Sequence, residues 1–278
     1  MCARVIAEGY QVMLDTRPVR DSEKRIITIP LSKPYLATAL ALEWDQLTSA
    51  QQATRHFYIP LTSMISRALD IADADMVANS KQNEMRANMV RVMLRYLSTD
   101  TLLCWAPLPG EHDRDPDGGR SLREEQQRLA MPLIEHLTAH VLRGVNIVPA
   151  LDDNSIVPRS QPQETVDAIA VWLTGLPAWE LAAVERAMLA SKSLLAAIRL
   201  VVEWSAELSH LRPSQNDAAA EGKFGIEEAS ELVTIEVRWQ TMKWGEVEDT
   251  HDVEREDLKR QLGSVILLVN GTKTDKST

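Results

Sequence analysis

Residues Glu236–Asp252, EVRWQTMKWGEVEDTHD, close a helix that the sequence opens near Gly225. At about 100° per residue, Leu232, Ile235, Trp239 and Met242 fall on one stripe. Ala229, Val233, Val237 and Ile226 widen that stripe to more than half the cylinder, and Thr234, Arg238, Thr241 and Glu227 take the opposite face. Glu236 projects near the middle of the apolar arc, with Gln240 one turn on and Lys243 two turns on. An ionised carboxylate on a core-facing position is costly unless it is paired or hydrogen-bonded. Two readings follow. In one, Glu236 pairs with Lys243 or Gln240 and only fixes helix register. In the other, it is held at a helix surface to meet a partner protein. Trp239 and Trp244 flank it and are the tryptophans expected at an interface. Trp172, Trp179 and Trp204 sit on apolar helical faces and are expected in the core.

The rest of the chain sets the frame. With 278 residues, 45% of them hydrophobic and 25% charged, it can bury a substantial core in one or two domains. A net charge of −10 and the lack of a basic block exclude a nucleic-acid partner. No apolar run is long enough for a bilayer, so no membrane association is expected. Cys2 and Cys104 make neither a disulfide framework nor a metal quartet, which fits a reducing compartment. No signal or transit peptide is visible.

The chain begins β-like. Gly9–Leu14 and Arg25–Ile29 alternate and predict a hairpin about a turn at Asp15-Thr16-Arg17-Pro18. Ser32 as N-cap and Pro34 in the first turn predict a helix to about Leu47. After Pro60 the pattern turns helical. Helices are expected over Leu61–Ile71, Asn79–Tyr96, Leu122–Leu142 with a kink at Pro132, Glu164–Thr174, and one long stretch Trp179–Leu211. A last acidic helix runs from about Asp249 to Leu262, followed by a buried strand or helix end at Val265–Val269 and a disordered tail. The fold class read here is α+β: a small N-terminal domain over 1–60, hairpin plus helix, then a mainly α, orthogonal helical bundle over 61–278.

Three constellations resemble chemistry. Asp113, Asp115, Asp117 and Glu124, with Gly118, satisfy the spacing of an EF-hand calcium loop. Arg120 at the eighth position, Pro116 within the loop and Pro107 and Pro109 before it oppose that, and favour a solvated acidic loop. His136 and His140 are spaced i, i+4, but Leu137 stands where a zinc peptidase needs its glutamate, so surface histidines are expected. Glu246 and Glu248 are a carboxylate pair that an enzyme could use, given a closed pocket and one raised pKa. Neither a Walker loop nor a nucleophile elbow is present.

An ordered series of residues resembles a known family. Ile235-Glu236, Gln240, Trp244-Gly245, Glu248 and His251-Asp252 resemble the C-terminal signature of the mitochondrial assembly factors that chaperone the ATP synthase alpha subunit, the "Atp-twelve" family. Gly9-Tyr10 with Leu14-Asp15 and Arg17, Glu43-Trp44-Asp45, Pro60-Leu61-Thr62 with Leu69-Asp70, Tyr96-Leu97 with Thr99-Asp100-Thr101, and Lys192-Ser193 match in order. The likeness spans about residues 9–268. It departs where Ala130 or Met131 replaces a tryptophan before Pro132, and where loops 106–120 and 213–223 are longer. The resemblance implies a non-catalytic monomer of the mitochondrial matrix without cofactor. It would hold the unassembled alpha subunit until the beta subunit replaces it. Glu236, Gln240, Trp239, Trp244, Glu246 and Glu248 are the partner-binding residues expected. The alternatives are a calcium-binding adaptor built on the Asp113–Glu124 loop and a carboxylate enzyme.

Overall fold

Gly9 sets the geometry of the N-terminal sheet. A Cβ there would collide with the Ile29 carbonyl oxygen, so only glycine lets the two segments close. Tyr10 N then donates to Ile29 O at 2.7 Å and Ile29 N to Tyr10 O at 2.9 Å. In this computed structural model, which describes residues 2–76, 80–108, 119–151, 157–213, 223–245 and 251–271, the sheet has the order β1-β2-β3. Strand β1 is Cys2–Ile6, β2 Gly9–Leu14 and β3 Arg17–Pro18. The expected pairing of Gly9–Leu14 with Arg25–Ile29 is therefore only partly correct. The full antiparallel partner of β2 is β1, from Cys2 opposite Met13 to Ile6 opposite Gly9. Arg25–Ile29 contributes isolated bridges, Tyr10 with Ile29 and Arg20 with Ile26. Strand β1 escaped the sequence reading because it is exposed on both faces, which leaves no period-two signal.

Helix α1, Pro34–Asp45, begins with proline at its first position as expected, but its N-cap is Lys33 and not Ser32. Its last turn builds the next helix. The Glu43 carboxylate accepts from Leu61 N (2.6 Å), Thr62 N (3.0 Å) and Thr62 Oγ1 (2.7 Å). That satisfies the orphan donors of α2, Pro60–Met76. Helix α3 is Ser80–Arg95. Helix α4, Leu122–His136, carries Pro132 inside it and passes into a wide π-turn, Leu137–Val141. Helix α5 is Gln163–Thr174, with Gly175 at its C-cap.

The long stretch expected from Trp179 to Leu211 is two helices, α6 (Ala178–Ser191) and α7 (Leu194–Trp204). Lys192 breaks it in the left-handed region at φ 56°. The second start is capped twice. Ser193 Oγ accepts from Ala196 N at 3.0 Å, and Asp100 Oδ2 accepts from Leu194 N and Leu195 N at 2.8 and 3.1 Å. Every residue from Leu194 to Val202 is buried, and α6, α7, α2 and the last helix form the centre of the core.

The helix expected over Gly225–Trp244 is likewise two, α8 (Ile226–Val233) and α9 (Ile235–Trp244). The acidic segment and the apolar Val265–Val269 belong to one helix, α10 (His251–Val269). The small three-stranded sheet followed by helices is the α+β class expected from the sequence. No helix among the described residues is long and apolar enough to cross a membrane. The C-terminal tail lies outside the described residues.

Candidate functional site

Thr234 is where the apolar stripe loses the core. Its backbone leaves helical geometry at φ −106° and ψ 11°. Ala229, Ser230 and Leu232 of α8 are buried, whereas α9 has no buried residue at all. Glu236 is therefore exposed, not core-facing. A single periodicity drawn through 225–244 placed it wrongly, because the break resets the helical phase. Its carboxylate accepts a hydrogen bond from Gln240 Nε2 at 3.3 Å. Lys243 lies instead over the Trp239 ring, 5.1 Å from its centroid. Glu236 thus faces solvent with its charge unburied.

Apolar groups stand beside that charge. On the same helix Met242 is 73% and Trp244 78% exposed, and Val237 is exposed as well. Trp239 is half-buried. Gly245 ends the helix at φ 89°. Glu246 and Glu248 lie outside the described residues.

Helix α9 forms one wall of an open cleft of about 770 Å³. The other walls come from distant segments, including Cys104, Gln126, Lys192, Glu254, Arg255 and Leu258. Sequence reasoning missed all six, since they share no local motif and meet only through the packing of α4, α6 and α10. Both signs of charge and an apolar floor are present: Glu236, Glu254 and Asp257 against Lys192, Arg238 and Arg255, over Val233, Ile235, Val237 and Leu258. Arg238 is held by Glu231 at 2.7 Å.

The chemistry available in the cleft is poor for catalysis. Burial, with the nearby Asp100 and Glu236 charges, pushes the Cys104 thiol up, away from the nucleophilic thiolate. Burial raises Asp100 to about 6, but its oxygens are taken by Leu102 N, Leu194 N and Leu195 N. It caps a helix and holds no substrate-facing proton.

The other constellations resolve differently. Asp113, Asp115 and Asp117 lie outside the described residues. Glu124 is a capping residue: its carboxylate accepts from Ser121 N at 2.7 Å while Ser121 Oγ accepts from Glu124 N at 3.3 Å. The hydrogen bonds that Ser121 N and Ser121 Oγ donate to its carboxylate hold Glu124 below the usual carboxylate range. Among the described residues no three His, Cys, Asp or Glu side chains group as metal ligands. His136, the last residue of α4, is buried, contrary to the surface position expected; its ring lies 4.9 Å from that of His140. Trp172, Trp179 and Trp204 pack against the core half-buried, as their apolar faces required.

An open cleft of balanced charge beside a helix with exposed apolar side chains is a surface suited to binding another protein. A family model described as ATP12 chaperone protein matches residues 2–138. The chain is 31% identical over 257 residues to the mitochondrial protein atp12 of Schizosaccharomyces pombe, covering 92% of this chain and 76% of that protein. It is 29% identical to the mitochondrial ATP12 of Saccharomyces cerevisiae over 90% of this chain and 75% of that one. The chain belongs to the ATP12 chaperone family. The crystal structure of Atp12 from Paracoccus denitrificans shares the fold, with a TM-score of 0.63 at 19% identity over 96% of this chain and 93% of that one.

Proposed function

We propose that this chain holds the unassembled alpha subunit of the mitochondrial ATP synthase in the matrix, as a monomer, until the beta subunit takes its place. Family membership supports the coarser statement, a chaperone of ATP synthase assembly. The observation that supports the finer reading is α9, a helix with no buried residue that exposes Val237, Met242 and Trp244 as well as Glu236. A subunit awaiting assembly exposes apolar interface and is prone to aggregate. A holder must cover that surface and still be displaced, which mixed apolar and charged contacts of moderate affinity allow. Glu236, Gln240, Trp239 and Trp244 are the residues assigned to the client, with Glu246 and Glu248 following in sequence.

Co-expression with the alpha subunit tests this. The wild-type chain keeps alpha soluble. Because Glu236 contributes nothing to the core, Glu236→Lys leaves the fold intact and abolishes that effect. Soluble alpha in equal yield with both proteins removes Glu236 from the contact. Insoluble alpha with the wild type removes the alpha subunit as client.

A further inference from the structure

A second cleft lies against the same helix α10. It has a volume of about 400 Å³ and is lined by the Thr54–Phe57 loop together with Pro60, Arg186, Asp257, Arg260 and Gln261. Asp257 and Gln261 also line the larger cleft, so the two share a rim.

The electrostatics of the two differ. The larger cleft balances its charges. The smaller holds Arg55, Arg186 and Arg260 against a single carboxylate, Asp257, among the described residues that line it. Asp257 is already occupied. Its Oδ1 accepts from Arg260 Nη2 at 2.7 Å and its Oδ2 from Gln261 Nε2 at 2.5 Å. Arg260 Nη1 donates to the Phe57 carbonyl oxygen, which ties the loop to α10. Arg260 and Asp257 therefore offset each other. Glu185, beside Arg186 in sequence, is taken by Arg67 Nε and Nη2, each at 2.8 Å. Arg186 also acts on Asp257, and Arg55 lies over the Phe57 ring at 6.0 Å, but three guanidiniums against one carboxylate leave the described lining of the cleft net positive. A cationic cleft in a chain of net charge −10 is not a sample of its average surface. Phe57, which lines the cleft, is 53% exposed, and its ring lies 4.4 Å from that of Tyr58, 40% exposed.

We propose that this cleft takes a carboxylate-bearing segment of the client polypeptide, as the second charged anchor of one docking face whose first anchor is Glu236. This rests on the client-holding role assigned above. Guanidinium forks match carboxylates bidentately. The exposed Phe57–Tyr58 pair supplies apolar area beside them. A segment lying along α10 with an acidic residue at Arg55 and Arg186 and a basic one at Glu236 is bound in one direction only. Reversing it sets like charges together at both ends.

The test uses the full chain and three fluorescent probes: hexaglutamate, hexalysine and a neutral glycine-serine peptide. Hexaglutamate binds saturably, and more tightly than the neutral peptide. Arg55→Glu/Arg186→Glu weakens it roughly tenfold or more, while Glu236→Lys does not weaken it. Equal hexaglutamate binding by wild type and the double variant overturns the proposal. So does inorganic phosphate that competes as effectively as the peptide, since that marks a free-anion site. In co-expression the double variant loses soluble alpha subunit as Glu236→Lys does. If Glu236→Lys loses alpha and the double variant retains it fully, the client role stands and this second anchor falls. If the wild type holds no alpha yet binds hexaglutamate through Arg55 and Arg186, the acidic-segment site stands and the alpha-subunit reading falls.

Discussion

Asp100 is fully buried and still carries a carboxylate that three backbone donors, with Ser193, address. Burial raises it from near 3.8 to about 6, against those hydrogen bonds. Between these values the native state holds a proton that the unfolded chain has released. The stabilisation from that proton is complete below the unfolded value and is lost as pH rises through about 6. The loss is on the order of 3 kcal/mol. Urea unfolding at pH 4, 5 and 6 checks it. The wild type loses stability relative to Asp100→Asn over that range, because asparagine does not titrate. A constant difference between the two proteins rules the linkage out. Asp100 was legible only as part of a family match, since nothing local marks a residue that caps a helix more than ninety positions away. Glu236 was legible as unusual, and its exposure was not: the phase reset at Thr234 has no proline or glycine to announce it. Arg55, Arg186 and Arg260 each read alone as an ordinary solvated charge.

At the scale of elements, most helices were legible from periodicity and punctuation. Pro34 opens α1 with its fixed φ and Gly245 closes α9 at a positive φ, each for the backbone reason that favours that residue there, while Gly175 closes α5 in right-handed geometry that other residues also adopt. The breaks inside two apparent single helices were not legible. Lys192 and Thr234 lack the signature of a stop, and tertiary capping by Asp100 makes the first of them stable. The pair α7 and α9 therefore makes a contrast that the sequence conceals. Helix α7 is buried from Leu194 to Val202, and α9 has no buried residue. Helices this short are marginal without packing, so α9 opens locally at low cost while α7 opens only with the whole core. Amide hydrogen exchange of the full chain checks this. The α9 amides exchange at least about a hundredfold faster than those of α7, and bound client protects α9 first. Equal protection of the two helices in the free protein removes the idea that α9 is a loosely held docking element.

At the scale of the whole molecule, the proposed division at residue 60 has to be reconciled with the contacts that cross it. One buried apolar cluster runs from Val12 and Ile29 through Leu36 and Leu40 to α10. Polar groups cross with it. Arg25 pairs with Asp21 and Asp73 at 2.7 Å and also with Asp70. Lys33 is buried and donates through Nζ to Leu268 O at 2.9 Å, close enough to Trp179 to lie over its ring at 5.4 Å. Burial lowers the Lys33 pKa, and the Glu180 charge opposes that; burial raises Glu180, and Lys33 opposes that in turn. Each charge offsets part of the cost of burying the other. Lys33→Met leaves Glu180 buried without its counter-charge and costs roughly 3 kcal/mol. Adding Glu180→Met removes the stranded carboxylate and frees Ser205 Oγ, which now donates to Glu180 at 2.9 Å, for the nearby backbone. The double variant is therefore more stable than Lys33→Met alone, a coupling that a double-mutant cycle in urea reads directly. Because the pair joins α1 to α6 across the division, the loss in Lys33→Met also registers in N-terminal and bundle amides together, as one cooperative transition. Additive effects of the two substitutions show instead that Lys33 and Glu180 do not act as a pair, and separate transitions for 1–60 and 61–278 show that the contacts across residue 60 do not make one cooperative unit.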